Sequence, residues 1–297
     1  MHIRARLVFI LVIVSLAAVT MASVDSPSVI GTVQQYRAGN GDTLALVAAR
    51  FGIEPAVLAR DNDLAANARL KPGMTLQIDN RHIVPGGMSD GIVINLPQRR
   101  LFLFRGGSVK ESYPVAVGSG GWRTPVGEFT VQTLEMNPTW DVPKSIQAEM
   151  AREGKRVLTR VPPGPNNPLG TRWIELTPKI GIHGTNAPTS IFRYTTHGCI
   201  RMATEDVEHL FELIKEGDPV SIIYEPLLVA KEGREIFVEV HRDPYGRGGV
   251  SRGALQQALA GIGAGELASH PELDRLLKQR EGRAVSLTAL ISTIASR

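Results

Sequence analysis

Between Gly91 and Val117 the chain places its apolar residues in three short runs, Ile92–Leu96, Leu101–Phe104 and Tyr113–Val117. Turn-like stretches, Pro97–Arg100 and Arg105–Ser108, interrupt them. Runs this short, rich in β-branched and aromatic residues and punctuated by turns, predict successive β-hairpins rather than helices. Further strands are expected at Glu128–Leu134, Arg172–Leu176 and Pro219–Tyr224. One helix interrupts them. Thr204 is placed to cap it, Glu205 and Asp206 complement its N-terminal dipole, and Val207, Leu210, Phe211 and Ile214 form its apolar stripe. Gly217 is expected to stop it. Hairpins must bury their apolar faces against one another, so the fold class is mainly β: a sandwich or barrel with a packed helix.

Different patterns flank this region. Pro85-Gly86-Gly87 marks a boundary, and before it lies a compact unit of about residues 36–80. There Asp42 or Thr43 can cap a helix carrying Leu44, Val47, Ala48 and Phe51, which Gly52 ends. Glu54-Pro55 opens a second short helix, and Lys71-Pro72-Gly73 turns into a closing strand. The order is β-α-α-β. Val161–Gly170, with four prolines and two glycines, predicts a stiff loop over one face. Residues 227–297 read as a C-terminal extension with a strand at Glu235–Val240 and helical segments near Leu255 and Leu273. It carries no chemical motif and reads as packing or interaction surface.

At the N-terminus His2, Arg4 and Arg6 precede an apolar run, Leu7–Ala22, that ends in small residues. This is the pattern of an export signal over residues 1–22, with an uncleaved anchor as the alternative. The net charge of +4 is mild and spread out, without a basic stripe interleaved with aromatics, which argues against nucleic-acid binding.

The chain has one cysteine, Cys199, within Thr196-His197-Gly198-Cys199-Ile200-Arg201-Met202. A lone thiol in an exported protein is a reactive group, an intermolecular partner or a small buried hydrophobe. Its neighbours favour reactivity, because a thiolate nucleophile needs a base for its proton and positive charge nearby. His197, His183 and Arg201 supply candidates. His197, two residues away, need not face the sulfur. His183 comes from another segment, Ile182-His183-Gly184-Thr185-Asn186.

Two resemblances sharpen this. Tyr36…Gly41-Asp42-Thr43-Leu44…Arg50-Phe51-Gly52…Asn62…Lys71-Pro72-Gly73 resembles a LysM module, the family that grips the N-acetylglucosamine backbone of peptidoglycan and chitin. His183-Gly184 with Thr196-His197-Gly198-Cys199-Ile200-Arg201, supported by Thr124-Pro125-Val126-Gly127, Asn137-Pro138-Thr139-Trp140 and the proline-rich stretch, resembles the L,D-transpeptidases of the YkuD fold. That likeness covers about residues 90–226 and points to the periplasmic ErfK/YbiS/YcfS-type branch.

The resemblance implies Cys199 as nucleophile, His183 as base and the Gly184 carbonyl as the group that fixes its tautomer. It implies that His197 buttresses the site and Arg201 binds a stem-peptide carboxylate. Gly198 and Cys199 N–H groups would form an oxyanion hole; Thr196 and Trp140 would meet substrate, Trp140 having a core role as its alternative. No metal or cofactor is implied. The partners are peptidoglycan glycan strands and stem peptides, with an outer-membrane lipoprotein as one acyl acceptor. Three other readings stay open. His183, His197 and Cys199 could ligate zinc, though without the usual paired spacing. Water could replace the amine acceptor, giving a carboxypeptidase or a hydrolase that detaches wall-bound protein. The chain could also bind the wall without catalysis.

Overall fold

The computed structural model describes residues 28–295; the expected signal over residues 1–22 lies outside them. Among the described residues no helix is long and apolar enough to cross a membrane.

The N-terminal module runs β1 (Val29–Ile30), β2 (Val33–Arg37), α1 (Leu44–Phe51), α2 (Pro55–Asp61), β3 (Thr75–Asp79) and β4 (His82–Ile83). Strand β2 pairs antiparallel with β3, and β1 with β4. Thr43 caps α1 by accepting the Leu46 N–H at 3.2 Å. Asp42, the other candidate cap, instead accepts the Gly39 N–H at 2.8 Å and the Tyr36 hydroxyl at 2.5 Å. Leu44, Val47, Leu58, Leu76 and Ile78 fill the core. Gly52 ends α1 in the left-handed region at φ 66°.

A sandwich follows. Its elements are β5 (Gly91–Asn95), β6 (Arg100–Arg105), β7 (Ser108–Pro114), β8 (Val117–Gly118), β9 (Gly127–Thr130), β10 (Thr133–Met136), β11 (Trp140–Asp141), α3 (Lys144–Arg152) and β12 (Arg160–Val161). They continue as β13 (Arg172–Thr177), β14 (Ile180–His183), β15 (Tyr194–Thr196), β16 (Ile200–Arg201), α4 (Thr204–Leu213) and β17 (Pro219–Ile223). One sheet has the order β7-β6-β5-β17-β9 and the other β10-β13-β14-β16. The hairpin turns fall where the turn residues predict them. Ile92, Ile94, Leu101, Leu103, Ile174, Ile182 and Ile200 pack between the layers, and Val207 and Leu210 of α4 join them. Fully burying a side chain of this kind contributes about 1.5–3 kcal/mol each.

Four local expectations change. Glu128–Leu134 is not one strand: β9 belongs to the first sheet and β10 to the second, with buried Val131 between them. Tyr113–Val117 also divides, since the chain leaves β7 at Pro114 and β8 pairs with β15. Ala203, not Thr204, is the N-cap of α4; Thr204 Oγ1 donates to Thr185 O at 3.1 Å. Helix α4 ends at Leu213, before Gly217.

The remaining chain forms β18 (Leu227–Glu232), β19 (Glu235–Val240), α5 (Arg252–Gly261), α6 (Glu272–Gln279), β20 (Ala284–Ser286) and α7 (Leu287–Ala295). The three strands make one sheet, β18-β19-β20. Ile236 and Val238 pack against Leu255, Leu259 and Leu273 of its helices. Leu228, Ala230 and Phe237 pack instead on Ile83 of the N-terminal module.

Candidate active site

Strand pairing brings distant residues together. In β13 and β14 Trp173 lies opposite His183, and in the parallel pair β14 and β16 His183 lies opposite Arg201. Gly181 makes room for this arrangement, because a Cβ there would come 2.6 Å from the Trp173 ring. Trp173 and His183 stack with centroids 6.0 Å apart.

His183 is buried, and its Nδ1 lies 2.7 Å from Gly184 O. A carbonyl only accepts, so Nδ1 carries the hydrogen and Nε2 keeps the lone pair. Burial pushes the His183 imidazole down to about 3, and the Arg201 charge adds to this against the Gly184 carbonyl. The half-buried Cys199 has its Sγ 3.8 Å from Lys179 O. Burial raises the thiol above its ordinary value, while the Gly181 N–H and Arg201 pull the other way. At neutral pH both groups therefore rest uncharged, as thiol and imidazole.

Hydrogen bonds on both sides fix the Cys199 turn. Thr196 Oγ1 donates to Cys199 O at 2.6 Å and accepts the Gly198 N–H at 3.2 Å. Thr124 Oγ1 donates to Gly198 O at 2.9 Å, and the Tyr245 hydroxyl accepts the Thr124 N–H at 3.2 Å. Gly198 sits at φ 111°, a conformation side chains rarely adopt. The Gly198 N–H, expected as an oxyanion donor, is engaged by Thr196 Oγ1, and the Thr196 hydroxyl, expected to meet substrate, is turned onto the turn's own backbone.

A cavity of about 690 Å³ opens over the thiol. Cys199, His183, His197 and Arg201 line it, as do all three tryptophans of the chain, Trp122, Trp140 and Trp173. Trp140 thus faces the cleft rather than a core. The proline-rich stretch contributes Pro168 and Leu169. Buried Asn167 folds that stretch by donating to Pro138 O at 2.7 Å and accepting the Leu169 N–H at 2.9 Å. Arg201 has a buried Nε without a partner, and its guanidinium forms no ion pair among the described residues.

His197 lines the cavity with its ring held by two other side chains. Its Nε2 pairs with Glu149 Oε2 at 3.0 Å, and its ring stacks on Trp122 at 4.9 Å. Asp206 does not line the cavity; burial and neighbouring Glu205 push its carboxyl up to about 6 against the pull of Arg100. Among the described residues no three His, Cys, Asp or Glu side chains converge as a metal site needs. Sequence reading missed Trp122, Thr124, Glu149 and Tyr245. Only Thr124 carried a signal, as the first residue of Thr124-Pro125-Val126-Gly127.

Residues 89–222 match the model of the L,D-transpeptidase catalytic domain, and residues 36–79 match the LysM domain. The probable L,D-transpeptidase ErfK/SrfK of Salmonella typhimurium is 32% identical over 216 residues, covering 70% of this chain and 68% of that protein. The probable L,D-transpeptidase YbiS of Escherichia coli strain K12 is 32% identical over 206 residues, 68% of this chain and 67% of its own length. The putative L,D-transpeptidase YkuD of Bacillus subtilis is 31% identical over 194 residues, 63% of this chain and 97% of that protein. With an identity of this size extending beyond the sandwich, this chain belongs to the YkuD family of L,D-transpeptidases, with a LysM domain at its N-terminal side.

Proposed function

We propose that the protein is a periplasmic, exported cysteine L,D-transpeptidase acting on peptidoglycan tetrapeptide stems. The observation that carries this is one cavity holding Cys199, His183 and an unpaired Arg201, with the His183 tautomer fixed by Gly184. Cys199 Sγ attacks the carbonyl joining diaminopimelate to the terminal D-alanine while His183 Nε2 takes the thiol proton. The C–N bond breaks, His183 returns the proton to the departing D-alanine amine, and a thioester remains. An amine then attacks the thioester, gives its proton to His183 and restores the thiol.

Arg201 binds a stem carboxylate, for which its planar donor fork is suited. With the Gly198 N–H engaged, the Cys199 N–H is the backbone donor left for the developing oxyanion. Such a donor is typically worth about 3–4 kcal/mol of barrier. Trp140 and Trp173 wall the stem, and the LysM domain holds the glycan strand. The acceptor is the side-chain amine of another stem, giving 3→3 cross-links, or a lysine of an outer-membrane lipoprotein.

The test is to incubate the purified protein with tetrapeptide muropeptides and follow intact mass and products. An adduct equal to the stem minus D-alanine, lost in Cys199→Ala, together with 3→3 dimers, is the expected result. Free tripeptide as the sole product would assign water as acceptor, and no adduct on the unaltered protein would end the thioester reading.

A further inference from the structure

A second cavity, of about 910 Å³, lies where the three parts of the chain meet, and it is larger than the one over Cys199. Its apolar and aromatic wall includes Ala49 and Ile53 of the LysM domain, and Phe192 and Tyr194 at the entry to β15. Arg193, Arg242, Lys278 and Arg280 also line it. Among the described residues none of these four forms an ion pair.

The two acids that line the cleft are already occupied. Glu54 pairs with Arg99 at 2.8 Å. Asp243 accepts the Tyr224 hydroxyl and the N–H groups of Arg247 and Gly248. Arg99 itself is buried with an unpartnered Nε, its Nη1 donating to Phe192 O at 2.9 Å and its guanidinium 3.8 Å from the Phe192 ring centroid. A cationic run on a convex face is simply solvated. Here the four cations come from the entry to β15, the segment after β19 and the end of α6, around a concave, partly apolar space; with Glu54 set against Arg99 they outnumber the one remaining acid, Asp243, so the lining carries net positive charge where an anion fits.

We propose that this cleft is a second, non-reacting binding site for a carboxylate-bearing stem peptide of the wall polymer. The assignment rests on the proposed function, which supplies the polymer. Two placements select this occupant. One wall belongs to the domain assigned to hold the glycan strand from which the stems hang. The opposite wall runs straight to the thiol: β15 borders the cleft at Tyr194 and the Cys199 cavity at Thr195 and Thr196. Alanine methyl groups suit the apolar wall, and the stem's free carboxylates suit the cationic one.

The experiment titrates a free tetrapeptide stem, ending in diaminopimelate–D-alanine, calorimetrically into full-length Cys199→Ala protein at low salt. Two binding events are expected. Adding Arg193→Glu and Lys278→Glu, both on exposed residues, should weaken one of them by about tenfold or more, because like charges then face the ligand. The milder Arg193→Gln and Lys278→Gln pair should give a smaller loss. With Cys199 intact, the same exchanges should leave thioester formation with the free stem, read by mass, unchanged. An isotherm that the charge exchanges do not alter would overturn the site. So would binding of inorganic tripolyphosphate without any binding of the stem peptide, which would assign the cleft to a phosphate polymer. Failure of the thioester in unaltered protein counts against the proposed reaction instead, and the two-event titration is read independently of it.

Discussion

Opposing effects act on Cys199: burial raises its thiol above the ordinary value, and the Gly181 N–H and Arg201 offset this only in part. With His183 pushed down to about 3, no thiolate–imidazolium pair forms in the resting site, and in the proposed reaction proton transfer would accompany attack. Alkylation of Cys199 by iodoacetamide should therefore rise about tenfold per pH unit between roughly pH 6 and 8, following the thiolate fraction. A plateau below neutrality would reveal a preformed ion pair and contradict this. Arg201→Ala should move the alkylation profile to higher pH and lower kcat/KM for stem peptides by about 10²-fold, as expected when a charged hydrogen-bond donor is lost. Arg201→Lys should largely restore the alkylation profile but not substrate use, since it keeps the charge without the fork. His183 also links pH to stability. Its folded pKa lies below the unfolded value of about 6.5, so its contribution is complete above that pH and is lost as pH falls toward about 3. Denaturation at stepped pH should show this slope, and His183→Gln should flatten it.

Elements were legible where period and turn chemistry are local. The β5-β6-β7 meander and the capped α1 are written in neighbouring residues. Helix α3 was not, because none of its residues is buried and its large apolar residues, Ile146 and Met150, are few among polar ones. It nevertheless carries Glu149 to His197. Glu149→Gln should speed hydrogen exchange over residues 144–152 while leaving Cys199 alkylation unchanged; equal exchange would show that the pair does not anchor the helix. At the C-terminal end of α1, Gly52→Ala strains a left-handed residue and sets a Cβ 2.4 Å from Arg100 Nη2. A loss of about 1 kcal/mol or more is expected from the backbone alone, measured by chemical denaturation.

At the scale of the whole molecule, one buried carboxylate ties the three parts together. Glu239 of β19 lies 2.9 Å from His82 Nδ1 and 2.7 Å from His241 Nε2, and it accepts the Ile83 N–H at 2.5 Å and Gln98 Nε2 at 3.1 Å. Burial pushes its carboxyl up, but the two imidazoles outweigh this and hold it below the usual carboxylate range. His82 extends the link through Nε2 to Gly52 O at 3.2 Å. Glu239→Ala leaves buried donors unpaired, so a loss of about 3–5 kcal/mol is expected, as for a broken buried pair. Calorimetry should show one melting transition for the unaltered protein, and a lower, divided one for the variant; an unchanged melt would mean the tail is only loosely attached. By itself the sequence determined the hairpin pattern, the β-α-α-β module and the residues around Cys199, because these depend on near neighbours and on motif spacing. Only the tertiary structure decided that β9 and β10 part between sheets, that the Gly198 N–H is already engaged, and that three scattered tryptophans share one cavity. The same holds for the Glu239 junction. Burial and hydrogen-bond partnership are set by residues far apart in the chain, and no local pattern encodes which of them will meet.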